Sequence, residues 1–158
     1  MKAGMPNSGA RVRDVMTEGV LFLHAGQRQE DAWNILHANG ISGAPVLGAG
    51  GRVAGVVTMT DLADPRHRAP RTSGTVADAM TRVVYAVRPN DPAMAAVRLM
   101  IDEDIHRAVV LGDDGKLVGM VVPMDVLRAL ARGVDVRAPD PQEEPIQYLH
   151  LGDEHVRA

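Results

Sequence analysis

The chain has no cysteine, only 3% aromatic residues, and a single tryptophan in 158 positions. Without cysteine there are no disulfides, no thiolate metal ligands and no thiol nucleophile. With so few aromatics the core must be aliphatic, and Trp33 alone cannot build a stacking platform for bases. Long apolar runs are missing too: no stretch approaches 18 apolar residues, and the opening MKAGMPNSGA has no apolar h-region. Neither a membrane span nor a secretory leader is expected, and the expected location is cytoplasmic. Basic runs are equally scarce. Lys and Arg total 17 against 20 Asp and Glu, for a net charge of −3 and a pI near 6.0. Nucleic acid is not an expected partner.

What the chain does have is a duplication. Residues 12–64 align without a gap on 76–128 at a constant offset of 64, with 15 identities in 53 positions. The matches include Val12, Asp14, Met16, Thr17, Ile41, Ala44, Gly55 and Asp61, each repeated 64 residues on. A copy of this length buries too little surface to stand comfortably alone, so the two should share a core. A duplicated α/β unit implies a pseudo-twofold pair with a cleft between its halves. Differences between the copies then carry the functional information.

In the first copy, 12–17 reads as a turn of helix and 20–23 as a strand. A helix is expected over 29–39, with Gly40 at its C-cap. Two β runs, 44–47 and 53–57, flank the turn Gly48-Ala-Gly-Gly51, and a helix opening at Thr58 is cut short by Asp64-Pro65. The second copy repeats this order. Its helix 91–103 places Ala93, Ala96, Val97, Met100 and Ile101 on one face of a 3.6-residue period. The matching face of the first copy is Gln29, Ala32, Trp33, Leu36 and His37. Strands are expected over 107–111 and 117–122, then a helix begun by Pro123 and ended at Gly133. The expected layout is an arm (1–11), a repeat (12–64), a linker (65–75), a second repeat (76–132) and an acidic, flexible tail (133–158). Within that tail, 146–151 could form a brief strand or dock on a partner.

The most informative segment is Gly55-Val-Val-Thr58-Met-Thr60-Asp61. A strand ends and a helix begins there, so first-turn amides and the helix dipole suit a phosphate. Hydroxyls of Thr58 and Thr60 can donate to phosphate oxygens. Asp61, an acceptor when ionised, can take both vicinal hydroxyls of a ribose. Gly55 leaves room for close approach. The same spacing also fits a capping box, in which Thr58 caps the helix and Asp61 folds back on the Thr58 amide. Capping and ligand contact are compatible.

The second copy departs from this pattern. Gly119-Met-Val-Val122-Pro123-Met-Asp125 keeps the glycine and the acid, but Val122 has no hydroxyl and Pro123 no amide hydrogen. A phosphate there loses two partners, about 1 kcal/mol each. Asp125 could still hold a ribose, so a stronger site in the first copy and a weakened one in the second are expected.

VRDVMT with VADAMT, GISGAPVLGAGGRVAGVVTMTDL and IHRAVVLGDDGKLVGMVVPMDVL, in the order helix turn, β, α, β-hairpin, helix, resemble the cystathionine-β-synthase (CBS) domain. The likeness spans about residues 12–132, and a tandem pair is a Bateman module, here a stand-alone one. The resemblance implies an α/β fold of two pseudo-symmetric repeats, each a small β-sheet flanked by helices, packed sheet to sheet. It implies an adenosyl effector (AMP, ADP, ATP, S-adenosylmethionine or NAD) in the cleft between repeats, and no catalytic cofactor. It also implies a homodimer and a regulatory role, with the ligand shifting the arrangement of repeats or subunits.

By the same resemblance Ile41, Ser42, Gly43, Ala44 and Pro45 would read the adenine edge, with the Met16-Thr17 turn lining the base pocket. Ile105, Ala108, Met80 and Thr81 are their counterparts at the weakened Asp125 site. His106 and Arg107 match a family pair that reaches phosphate oxygens; the first copy has Ser42-Gly43 there. Connector residues Arg66, Arg68 and Arg71 fit a solvated linker better than a phosphate clamp.

Nothing points to catalysis. The six histidines show no metal-ligand spacing, the Gly48–Gly51 turn is no phosphate loop, and no serine sits in a nucleophile elbow. The competing function is a dimerisation or protein-interaction module with vestigial clefts, engaging an unidentified protein partner.

Overall fold

The computed structural model describes residues 9–67, 74–137 and 149–151. The arm 1–8, connector residues Arg68 and Arg71, and most of the acidic tail lie outside the described residues.

Thirteen α-helices and β-strands follow one another among the described residues. They are α1 (Val12–Val15), β1 (Leu23–His24), α2 (Gln29–Ala38), β2 (Gly43–Leu47), β3 (Val53–Thr58), α3 (Met59–Ala63), α4 (Val76–Ala79), β4 (Val84–Val87), α5 (Ala93–Asp102), β5 (Ala108–Leu111), β6 (Leu117–Val121), α6 (Pro123–Ala131) and β7 (Leu149–Leu151). The first sheet has the order β1-β2-β3, with β1 parallel and β3 antiparallel to β2. The second has the order β6-β5-β4-β7, with β4 parallel and β6 antiparallel to β5. Glycines fall at matched registers, Val46 opposite Gly55 and Val110 opposite Gly119. A register shift one residue later, at Leu47 and at Leu111, is also shared. The duplication is thus visible as two mixed α/β sheets of the same design.

The described residues divide into two compact units whose limits differ from the sequence copies. The first-sheet unit holds 20–67 and 74–84 with 150–151; the second-sheet unit holds 9–19 with 85–137 and 149. The leading helix of each copy therefore belongs to the unit built around the other copy's sheet. In the second-sheet unit α1 packs on α5 and α6, and in the first-sheet unit α4 packs on α2 and α3. The junctions are hydrogen-bonded: Val12 N to Asp91 O at 2.8 Å and Ala93 N to Ala10 O at 2.8 Å, then Val76 N to Gln27 O at 2.8 Å and Gln29 N to Gly74 O at 2.9 Å. A four-residue helix cannot satisfy or bury itself, so it is held by what it covers. Val12 and Val76 are completely buried, each worth about 1.5–3 kcal/mol.

Each unit has its own aliphatic core. Leu23, Leu36, Val46, Val57, Leu62 and Val76 form one; Val12, Leu99, Val110, Val121, Val126 and Ala129 belong to the other. The apolar faces of α2 and α5 are turned from the faces expected from periodicity. On α5 the buried set is Ala93, Ala95, Ala96, Leu99 and Met100, while Ile101 is 71% exposed. On α2, Gln29, Ala32 and Leu36 are buried, and Trp33 and His37 are exposed. An apolar-rich helix offers two overlapping stripes, and packing chose the one centred on Leu36 and Leu99.

Candidate functional site

At the first strand–helix junction β3 ends on Thr58, which is extended (φ −116°, ψ 162°) and caps α3. Thr58 donates from its amide and from its Oγ1 to Asp61 Oδ2, each at 2.8 Å, and Asp61 donates its amide to Thr58 Oγ1 at 3.1 Å. This is the reciprocal capping box that the spacing allows. Asp61 is half-buried and Thr60 is exposed. The helix-end phosphate site expected from sequence needs correction on physical grounds. With five residues, α3 sums too few aligned peptides for a strong dipole. Two of its first-turn amides are also committed, Met59 to Ser42 O at 2.9 Å and Asp61 to Thr58. What the junction presents is side-chain chemistry: two threonine hydroxyls and a carboxylate.

The rest of the junction is assembled around it. Gly43 pairs with Thr58 and Ala44 with Val57 across β2 and β3, which brings Ser42 and Gly43 to the Thr58 end. Ile41 is half-buried and Ser42 exposed, while Ala44 and Pro45 are buried inside β2. Along the other edge of β3 lies the Met80-Thr81 turn, held by Val56 N to Thr81 O at 3.0 Å and Thr81 N to Val56 O at 2.9 Å. A Cβ on Gly55 would meet Thr81 O at 2.6 Å and Met80 Sδ at 2.8 Å. The absent side chain of Gly55 thus admits this turn; the close approach is made by the protein itself.

The second junction has the same backbone and different polar contacts. Val122 is extended at φ −117° and ψ 160°, and donates its amide to Asp125 Oδ2 at 2.9 Å. The hydroxyl missing from Val122 is replaced from a distance: Thr17 Oγ1 donates to Asp125 Oδ1 at 3.0 Å. Arg128 Nη1 stands 3.9 Å from the same oxygen. Asp125 is 6% exposed. The Met16-Thr17 turn is fixed by Thr17 N to Met120 O at 2.9 Å and Met120 N to Thr17 O at 3.1 Å. A Cβ on Gly119 would lie 2.8 Å from Met16 Sδ and 2.9 Å from Thr17 O. Ala108 is buried opposite Val121; Ile105 and Arg107 are half-buried and His106 exposed, all leading into β5.

The structure therefore regroups the residues singled out from sequence. Met80 and Thr81 accompany Gly55 in the first-sheet unit, and Met16 and Thr17 accompany Gly119 and Asp125 in the second. The expectation had grouped them the other way round. The cause is the exchange of leading helices, each carrying its Met-Thr turn onto the other copy's sheet. The Thr17–Asp125 contact was missed for the same reason. Its only sequence signal was the repeated Met-Thr pair, which gives no hint of its partner. His106 and Arg107 belong to the second-sheet unit, and Thr58 and Asp61 to the first.

Arg66 is bound by Asp64 through Nε at 3.0 Å and Nη2 at 2.6 Å. Hydrogen bonding and the charge of that carboxylate raise the guanidinium pKa, in keeping with a surface pair rather than a phosphate ligand. Among the described residues no group of three or more His, Asp or Glu is placed to hold a metal ion, and no helix is long and apolar enough to cross a membrane.

Comparison with known proteins identifies the family. A homoserine O-acetyltransferase of Methanohalophilus mahii is 31% identical over 119 residues, covering 75% of this chain and 24% of the relative. The chain thus spans about a quarter of the length of the acetyltransferases it matches. The CBS-pair protein CBSX2 of Arabidopsis thaliana superposes with a TM-score of 0.71 at 26% identity, over 78% of this chain and 96% of that one. CBSX2 in complex with AMP gives the same score and identity over 98% of that chain. The CBS domain pair of MJ0100, in complex with 5′-methylthioadenosine and S-adenosyl-L-methionine, gives 0.69 at 22% identity over 78% of this chain and 98% of that one, a likeness of fold. The CBS domain matches residues 12–66 and again 76–132. With both copies accounted for over most of its length, the chain belongs to the CBS-domain family, as a tandem pair.

Proposed function

We propose that the protein is a regulatory sensor that binds an adenosyl ligand, AMP being the first choice, at the Gly55–Asp61 junction. One observation carries the reading: the exposed Thr60 hydroxyl and the half-buried Asp61 carboxylate, which Thr58 holds through its own hydroxyl, lie at one strand end. The carboxylate suits a ribose diol and the Thr60 hydroxyl suits a phosphate oxygen, with the Thr58 hydroxyl joining it by turning from Asp61. Ser42 and Gly43 border this point and would face the adenine edge, with Ile41 beside them. The turn found on the Gly55 edge is Met80-Thr81, which takes the lining role first given to Met16-Thr17. The likeness to CBSX2, which is known in complex with AMP, supports the class of ligand. ADP, ATP, NAD and S-adenosylmethionine share the adenosyl group and are the alternatives. Asp125 would serve a weaker second site, with His106 and Arg107 of the same unit as its candidate phosphate contacts.

In this reading the protein is a cytoplasmic homodimer without catalytic activity. Binding would shift the arrangement of repeats or subunits, by no more than the ligand's differential affinity for the two states. A second reading, an interaction module with vestigial clefts, is favoured by one feature. Met124, Leu127 and Leu130 on α6 are each half exposed or more, a stripe suited to another chain.

Thermal unfolding with and without AMP, joined to native mass spectrometry, tests the proposal. At a ligand concentration of about 100 times Kd, AMP should add about 2.7 kcal/mol of stability. Asp61→Ala should remove most of this gain, and Asp125→Ala should remove less. A dimer that shows no shift with any adenosyl compound would favour the second reading.

A further inference from the structure

The acid of the second junction takes its two hydrogen bonds from separate parts of the chain. Around Asp61 the motif's own amide and hydroxyl both fall on one oxygen, Oδ2. Around Asp125 they fall on different oxygens: the Val122 amide on Oδ2, the Thr17 hydroxyl on Oδ1. The Asp125 side chain is 7% exposed, and Arg128, whose Nη1 stands 3.9 Å from Oδ1, is 66% exposed. A ribose diol donates two hydrogen bonds in parallel and needs carboxylate lone pairs that point towards it. Here one of those directions is taken by Thr17.

We propose that the Thr17 side chain is the gate of the second adenosyl site. Its hydroxyl holds the Asp125 carboxylate, and a ribose gains that carboxylate only when the Thr17 side chain turns away. The inference rests on the adenosyl reading given above and assigns a control to its second site.

The main chain at the gate is fixed. Two hydrogen bonds to Met120 hold Thr17, and Met16 and Thr17 are packed into the space left by the missing side chain of Gly119. The moving part is therefore a single torsion, χ1 of Thr17, which has other staggered wells available. Thr17 is exposed, so its hydroxyl meets water when it leaves the carboxylate. Opening costs one hydrogen bond, and the second site is weakened by that amount relative to an ungated one. The gate residue lies 108 positions from the acid it controls, on the leading turn of the other sequence copy. Occupancy of the second site is thereby tied to the seating of residues 12–17.

The test uses the full chain carrying Asp61→Ala, so that remaining binding reports the second site, with adenosine and AMP as titrants in calorimetry. Thr17→Val keeps the shape and removes the hydroxyl; Thr17→Ser keeps the hydroxyl. Thr17→Val should tighten adenosine about fivefold to tenfold, Thr17→Ser should match the parent, and adding Asp125→Asn should erase the gain. Unchanged or weaker adenosine binding in Thr17→Val, or no binding to either chain, overturns the gate. If AMP still binds the unmodified protein through Asp61, the gate alone has failed. If the unmodified protein binds neither titrant, the adenosyl reading has failed with it.

Discussion

The two strand–helix junctions share a backbone to within a few degrees, Thr58 at −116° and 162° and Val122 at −117° and 160°. They differ in where the hydroxyl comes from. In the first-sheet unit the hydroxyl belongs to the capping residue itself; in the second it arrives from Thr17. The junction geometry therefore does not depend on the hydroxyl. It depends on the glycine that admits a Met-Thr turn and on the acid that folds back on the strand's last amide. The hydroxyl is free to vary. The first junction keeps its acid half-buried; the second keeps its acid buried and bonded to Thr17.

The largest effects expected from breaking this pair are at the glycines. Gly55→Ala puts a methyl group 2.6 Å from a backbone oxygen, and should cost about 3 kcal/mol in urea unfolding. Gly119→Ala meets a movable methionine sulfur first and should cost about 2 kcal/mol. A larger loss at Gly119 than at Gly55 would contradict the close approach described.

The acids should separate next, in opposite directions for two measurements. Asp125→Ala strips partners from the Val122 amide and the Thr17 hydroxyl, at about 2 kcal/mol of stability. Asp61→Ala loses a capping box, at about 1 kcal/mol, yet should lose more AMP affinity. Chemical denaturation and calorimetry on the same pair of variants would reveal whether the two rankings cross.

Val122→Thr would make the junctions alike. Because Val122 already has the cap conformation of Thr58, the added hydroxyl should share the Asp125 amide, which already donates to Val122 O at 2.9 Å, and stabilise by about 0.5 kcal/mol. A destabilised variant in the same unfolding assay would mean that the methyl group it replaces matters more than the cap.

The smallest effect concerns the helix ends. After α2 the chain turns at Gly40 (φ 63°), and after α5 the equivalent residue is Asp104 (φ 51°). Left-handed backbone is strained for a residue with a side chain, so Asp104→Gly should stabilise by about 0.5–1 kcal/mol. A melting temperature that falls would show that the aspartate has a compensating role.

Much of this was legible along the chain. Element order, the helix starts at Gln29 and Pro123, the ends near Gly40 and Gly133, and the break at Asp64-Pro65 follow from local preferences that a few neighbours decide. The Thr58–Asp61 box was legible too, because it closes within one helical turn. The burial of Leu99 in place of Ile101 was not, since periodicity gives a stripe without saying which flank meets the sheet. Nor was the grouping of Met16-Thr17 with Asp125, because nothing within a repeat records where its first turn will dock.

By itself the sequence determined the duplication, the elements and the loss of a hydroxyl at Val122, all of which depend on covalent order and short-range geometry. Only the tertiary structure decided that leading helices change places and that Thr17 restores the lost hydroxyl. Two four-residue helices with buried valines find their apolar partners wherever packing is best, and that choice is made by the whole fold.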